Sequence, residues 1–150
     1  MNTQTKILIV EDHEMIAKAW SDILEAQGYN VIGICATQGE AVRMSKECNP
    51  HVVLMDINLK EGDGISATQE IKKNHDSIKV IALTMYNDQF HFNSIMDKGA
   101  SGFVTKNSPK EELLKAIEAV LKNEEYLCQE ISSKMVSTDD NTKDLLTTLL

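Results

Sequence analysis

Six polar residues of this 150-residue chain stand directly after short apolar runs: Glu11 and Asp12, Asp56 and Asn58, Thr84, and Lys106. Carboxylates brought to one place repel each other, and a hard divalent cation is the cheapest resolution. Mg²⁺ takes oxygen ligands in an octahedron, keeps several waters and often uses only one or two carboxylates. A carboxylate can also attack phosphorus and form an aspartyl phosphate. Phosphoryl transfer needs little beyond positioning and charge neutralisation. Asp56 ends the most apolar run, which would present it rigidly as the nucleophile. Mg²⁺ on Asp12 and Asp56 would neutralise one side of the incoming group and the Lys106 ammonium another, while the Thr84 hydroxyl would donate a hydrogen bond. Taken singly, each residue has a blander role: Asp caps helices, Thr sits in turns, and Lys is solvated surface. Each group at the end of its own run makes chance a poor explanation of the set.

The runs that must position these groups are Lys6 to Val10, Val31 to Cys35, Val52 to Met55, Val80 to Leu83 and Gly102 to Val104. They are continuously apolar rather than alternating, as in parallel strands buried on both faces. Helix-period segments separate them. Met15, Ile16, Ala19, Trp20, Ile23 and Leu24 form a core-facing stripe that Gly28 should stop. Thr37 to Glu40 has the form of a capping box. Ile65 to about Asn74 and Asp88 to Lys98 read as the third and fourth helices. Ser108, Pro109 and Glu111 have the order of a cap, first-turn proline and third-position glutamate before the fifth. His13 reads as a helix-start residue. The expectation is an α/β fold, a (βα)5 doubly wound parallel five-stranded sheet, whose site lies outside the carboxyl ends of the strands.

Composition narrows the class. With 15 Lys plus Arg against 23 Asp plus Glu, the net charge is −8, which disfavours non-specific binding to nucleic acid or an anionic membrane. The 42% hydrophobic content suffices for a core and is too high for a disordered chain. No apolar run approaches the ~18 residues of a membrane span, and the polar start is not a signal peptide. Cys35, Cys48 and Cys128 are odd in number and widely spaced, which fits reduced thiols in the cytoplasm rather than a disulfide framework. Gly-x-Gly-x-x-Gly and the P-loop are absent, which disfavours a nucleotide-binding domain.

The ordered stretches Ile7-Leu8-Ile9-Val10-Glu11-Asp12-His13, Val52 to Leu59, Asp63-Gly64, Ile81 to Thr84 and Lys98 to Lys106 resemble the receiver domain of two-component response regulators, over residues 5 to about 123. The resemblance implies a flavodoxin-like receiver fold. It makes Asp56 the phosphorylated aspartate, Asp12 the direct Mg²⁺ ligand, Glu11 an acidic partner acting through water, and Asn58 the donor of a backbone carbonyl to the metal. Thr84 and Lys106 match the phosphoryl-sensing pair, and Phe103 the aromatic that swings inward as the threonine moves. The implied partner is a sensor histidine kinase or phosphotransfer protein, and the responsive surface is the fourth helix, fifth strand and fifth helix. The implied chemistry stops at loading and clearing Asp56, so the chain is not expected to be an enzyme in its own right.

Three sites depart from the common pattern: Leu59-Lys60 where many receivers carry a Met-Pro pair, Asn107 where many carry proline, and Met85 where Ala or Ser is common. The Leu-Thr-Met-Tyr and Lys-Gly-Ala-Ser-Gly-Phe runs look most like the NarL/FixJ (LuxR-type) branch, whose members carry a C-terminal helix-turn-helix. Residues 1–123 are thus expected to be the receiver. Residues 124–150 read as a linker with a short helix around Ile131 to Val136 and a leucine-rich end, leading to an output domain absent from this chain. DNA binding would run through that domain, with a homodimer and a cytoplasmic location. Two alternatives stand beside this: a single-domain regulator acting through protein contacts, and an aspartate-nucleophile phosphohydrolase. The second usually needs another Asp where Asn58 stands.

Overall fold

The computed structural model describes residues 4–85 and 89–132. Strands and helices alternate: β1 (Lys6–Val10), α1 (Glu14–Ala26), β2 (Asn30–Cys35), α2 (Gln38–Cys48), β3 (Val52–Met55), α3 (Gly64–Asn74), β4 (Lys79–Thr84), α4 (Gln89–Asp97), β5 (Gly102–Thr105), α5 (Lys110–Leu121) and β6 (Tyr126–Leu127). All pairings are parallel, in the order β2-β1-β3-β4-β5-β6. Every residue of β3 and β5 is buried, as the unbroken apolar runs require of strands covered on both faces. The order reverses direction between β1 and β3, and this switch point opens a crevice at the strands' carboxyl ends. Glu11, Asp12 and Asp56 come directly after the two strands that flank it.

The expected five-stranded sheet therefore has a sixth strand. Tyr126–Leu127 pairs with Gly102 and Phe103 of β5, and Cys128 and Ile131 beyond it are completely buried. The stretch expected to begin a linker is still part of the folded body as far as Ser132, and Gln129 to Ser132 form a helical turn. The rest of the anticipated short helix, the acidic and serine-rich stretch and the terminal leucines lie outside the described residues. So does Asp88, the anticipated start of the fourth helix.

Local signals place most helix ends. Gly28 takes φ 90° just beyond α1, the left-handed geometry that glycine adopts at least cost. Thr37 caps α2 by accepting from Glu40 N at 3.1 Å. The return bond of Glu40 goes to Ala36 N and the Thr37 hydroxyl rather than to the cap's own N–H. Asp63 Oδ1 caps α3 by accepting from Ser66 N at 2.7 Å. The anticipated cap of α5 is displaced by one residue: Pro109 is the N-cap, and the Ser108 hydroxyl is bonded to Thr105 instead. Trp20 is buried in the stripe of α1, as its spacing predicts. Burial pushes the Cys35 thiol up to about 12, so it behaves as an inert core group. No helix among the described residues is long and apolar enough to cross a membrane.

Gly64 is where the fold bears most directly on the crevice. Its N–H donates to Ile57 O at 2.7 Å, and a Cβ added to it would collide with the carbonyl oxygen of Asp56 and with the Met55 side chain. The start of α3 thus rests against the backbone that carries Asp56. Gly64→Ala should destabilise the fold by about 1–3 kcal/mol, the usual cost of overpacking, and should perturb the amide resonances of residues 55–58 first. Unchanged urea unfolding with unchanged resonances there would contradict this contact.

Candidate functional site

The sheet's hydrogen bonds continue past the strand ends and fix the backbone of the candidate residues. Glu11 N donates to Cys35 O at 2.9 Å, Asp56 N to Val10 O at 3.0 Å, and Lys106 N to Thr84 O at 2.8 Å. Val10 is in register with Met55 and Thr84 with Thr105. Glu11 and Asp56 consequently leave adjacent strands at one level, and Lys106 leaves β5 at the same edge.

Their side chains meet. The Lys106 ammonium donates to Asp56 Oδ2 at 2.9 Å and pairs with Glu11 Oε1 at 2.5 Å. All three side chains are almost wholly buried, with 8% of Lys106, 7% of Asp56 and 4% of Glu11 exposed. Burial pushes the Glu11 carboxyl up, and the neighbouring Asp56 charge adds to this, while the Lys106 hydrogen bond pulls the other way. Burial also works against the charged form of Lys106, but its bonds to Glu11 and Asp56 outweigh that and raise its pKa. Lys106 is therefore a fixed cation.

Asp12 is half-buried beside this triad. It lines a cavity of about 110 Å³ with Asp56, Asn58, Lys106, His13 and Met85. The anticipated oxygen donors Asp12, Asp56 and Asn58 thus share one space. Three carboxylates stand against the single Lys106 ammonium, so the charge and hardness of this donor set fit a cation such as Mg²⁺. Glu11 is committed elsewhere: Oε1 is on Lys106 and Oε2 accepts from His13 N at 3.1 Å. Thr84 is completely buried at the end of β4, beside the strands of Asp56 and Lys106, and does not line the cavity. A larger cavity of about 470 Å³, between α3 and α4, shares only Asn58 with this group.

Two side chains have surroundings that the sequence did little to indicate. Phe103, expected to swing inward, is already completely buried. Its ring lies 5.4 Å from Phe92 of α4 in an edge-to-face arrangement, which is a favourable aromatic geometry. His13 is the N-cap residue of α1 but makes no side-chain capping bond. Its Nδ1 lies 3.3 Å from Asp12 Oδ1 and 3.6 Å from Glu11 Oε2, drawing the ring to the acidic cluster. Only its adjacency to Asp12 hinted at this.

Removing the ammonium should expose the repulsion it hides. Lys106→Met should cost about 3 kcal/mol at pH 7, as when one partner is taken from a buried ion pair. Glu11 titrates higher in the folded state than its ordinary 4.5, so its protonation favours folding. The stability it confers is present below 4.5 and lost as pH rises through the raised folded value. Without the Lys106 bond that lowers it, Glu11 is raised further in Lys106→Met than in wild type, so the variant loses more stability over this rise, and its deficit should shrink near pH 4 and widen towards pH 7 in urea unfolding. A deficit independent of pH would contradict the ion triad.

With this geometry established, the relationship to known proteins is direct. Residues 7–118 match the family described as response regulator receiver domain. The chain is 34% identical over 140 residues to oxygen regulatory protein NreC of Staphylococcus haemolyticus, covering 92% of this chain and 64% of that protein. It superposes on a LuxR-family two-component response regulator from Aurantimonas sp. SI85-9A1 with TM-score 0.86 and 31% identity, covering 89% of this chain and 96% of the other. RcsB of Salmonella enterica serovar Typhimurium, bound to a promoter in the presence of phosphomimetic BeF3-, matches with TM-score 0.79 and 25% identity, over 91% of this chain and 69% of that one. The chain spans 62 to 64% of the length of the NreC relatives. This chain belongs to the response regulator receiver family.

Proposed function

We propose that the chain is a phosphorylation-operated switch and that Asp56 is its phosphoacceptor. One observation carries the reading: a nearly buried carboxylate at the end of β3 is held by the Lys106 ammonium and opens on a cavity shared with Asp12 and Asn58. Asp12, Asp56 and the backbone carbonyl of Asn58 would hold Mg²⁺, and Glu11, whose oxygens already serve Lys106 and His13 N, would reach it only through water. Bound there, the ion supplies charge neutralisation for the anionic oxygens of the phosphoryl group.

The residues of the chain do the rest. An Asp56 carboxylate oxygen forms the bond to phosphorus as the bond to the donor breaks. The donor is a histidine kinase or phosphotransfer protein, and its histidine nitrogen is the leaving group. Lys106 offsets the added charge, and Thr84 gives a hydroxyl bond to a phosphoryl oxygen. Asn58 has no carboxyl with which to transfer a proton, which disfavours turnover as a phosphohydrolase. The chain thus regulates rather than catalyses, and its chemistry is limited to loading and clearing Asp56.

The output is a change in the surface of α4, β5 and α5. Phe103 already lies in the core, so its repacking against Phe92 rather than a passage from solvent would carry the signal to α4. The NreC relatives extend beyond the matched segment, and the RcsB neighbour is bound to a promoter. These points support a whole protein that regulates transcription in the bacterial cytoplasm, with DNA contacted by sequence outside this chain and activation through a homodimer. The experiment is incubation with acetyl phosphate and Mg²⁺ followed by mass spectrometry. One phosphoryl group should appear on Asp56, and none on Asp56→Asn or after chelation of Mg²⁺. An adduct that persists on folded Asp56→Asn would overturn the assignment.

A further inference from the structure

The chain does not leave the domain at the end of α5. Tyr126 N donates to Ser101 O and Cys128 N to Phe103 O, both at 3.0 Å, so the outgoing segment is zipped along β5. Side chains fasten it at two more points. Glu112, in the first turn of α5, accepts from the Tyr126 hydroxyl at 3.0 Å through Oε1 and from Gln129 N at 2.9 Å through Oε2. Thr105, the last residue of β5, is buried and donates its hydroxyl to Glu130 Oε2 at 2.9 Å. The Ser108 hydroxyl lies 2.8 Å from the same Thr105 oxygen, where it can be the donor. One peptide link separates Thr105 from Lys106, whose ammonium rests on Glu11 and Asp56.

We propose that residues 126–132 form a clasp that ties the chain leading out of the domain to the strand of the phosphoryl site, and that loading of Asp56 opens it. The proposal rests on the reading of Asp56 as phosphoacceptor. A phosphoryl group adds close to two negative charges, and the Lys106 ammonium must follow them. Its side chain is almost wholly buried, and its backbone N–H is held by Thr84 O. The displacement therefore passes into the backbone from Thr105, at the end of β5, to Ser108 in the β5–α5 connection. Glu130 is exposed, so water can take the place of the Thr105 hydroxyl at its carboxylate when Thr105 withdraws. The buried Cys128 and Ile131 stay as an anchor until the polar fastenings go. Residues 126–132 would then come free of β5, linking the phosphoryl site mechanically to the segment that leaves the domain.

Hydrogen exchange of the 150-residue chain, read by mass spectrometry, tests this. Peptides covering residues 126–132 should exchange about tenfold faster once Asp56 is loaded, the loss expected for a hydrogen bond to a charged group. Glu130→Ala should give the same acceleration without any phosphodonor, and Thr105→Val should reproduce it from the other side of the bond. Exchange in β1 and α1 should not move in either variant, which separates clasp opening from general unfolding. A chain that carries the adduct yet shows unchanged exchange over 126–132 would overturn the proposal. So would Glu130→Ala with unchanged exchange. Failure of the wild type to form any adduct would instead count against the reading of Asp56, and the Glu130→Ala comparison still decides whether the clasp exists.

Discussion

A buried ammonium between two buried carboxylates is the interaction on which the rest of this structure depends. Glu11, Asp56 and Lys106 come from the ends of three different strands, and each would be costly to bury alone. They are tolerable together because the sheet holds them at one level. The same register that satisfies the backbone beyond β1, β3 and β5 delivers the charges to each other. The arrangement remains short of positive charge, since Asp12 adds a third carboxylate without a second ammonium. That excess of negative charge suits the cavity to a divalent cation.

Much of this was legible in the sequence because the inner strands β1, β3, β4 and β5 are buried on both faces. Continuous apolar runs mark such strands without ambiguity, and a doubly wound sheet places the residues just past its strands along one edge. Asp12, Asp56, Asn58 and Lys106 fall together for that reason. The hidden part depends on contacts that no period encodes. Glu11 could serve a metal or a lysine, and only packing directs both of its oxygens to Lys106 and His13. Ser108 has the form of a helix cap, yet Thr105 offers its hydroxyl a partner in a buried setting. Phe103 lies inward because Phe92, on a weakly amphipathic helix, supplies a ring to meet it.

The sixth strand shows the limit of composition as a guide. Glu124 and Glu125 begin a polar stretch, and Tyr126-Leu127-Cys128 is too short a run to stand out as a strand. It is held because β5 would otherwise present an unpaired edge, and because Cys128 and Ile131 fill space over the sheet. The segment thereby becomes part of the receiver's core while sharing its hydrogen bonds with the loop beside Lys106. Signal site and outgoing chain are neighbours through β5, which makes a long relay through the domain unnecessary.

The Lys106 ammonium is the counter-ion of Asp56, and the proposed switch turns on its moving with the charge placed there. Nitrogen-15 NMR of the lysine side chains, recorded before and after addition of acetyl phosphate and Mg²⁺, reads it directly. A protected Lys106 ammonium signal should be present at the start and should shift in proportion to the phosphorylated fraction measured by mass. A Lys106 signal that exchanges freely with water, or one that stays fixed while Asp56 is fully phosphorylated, would contradict this role.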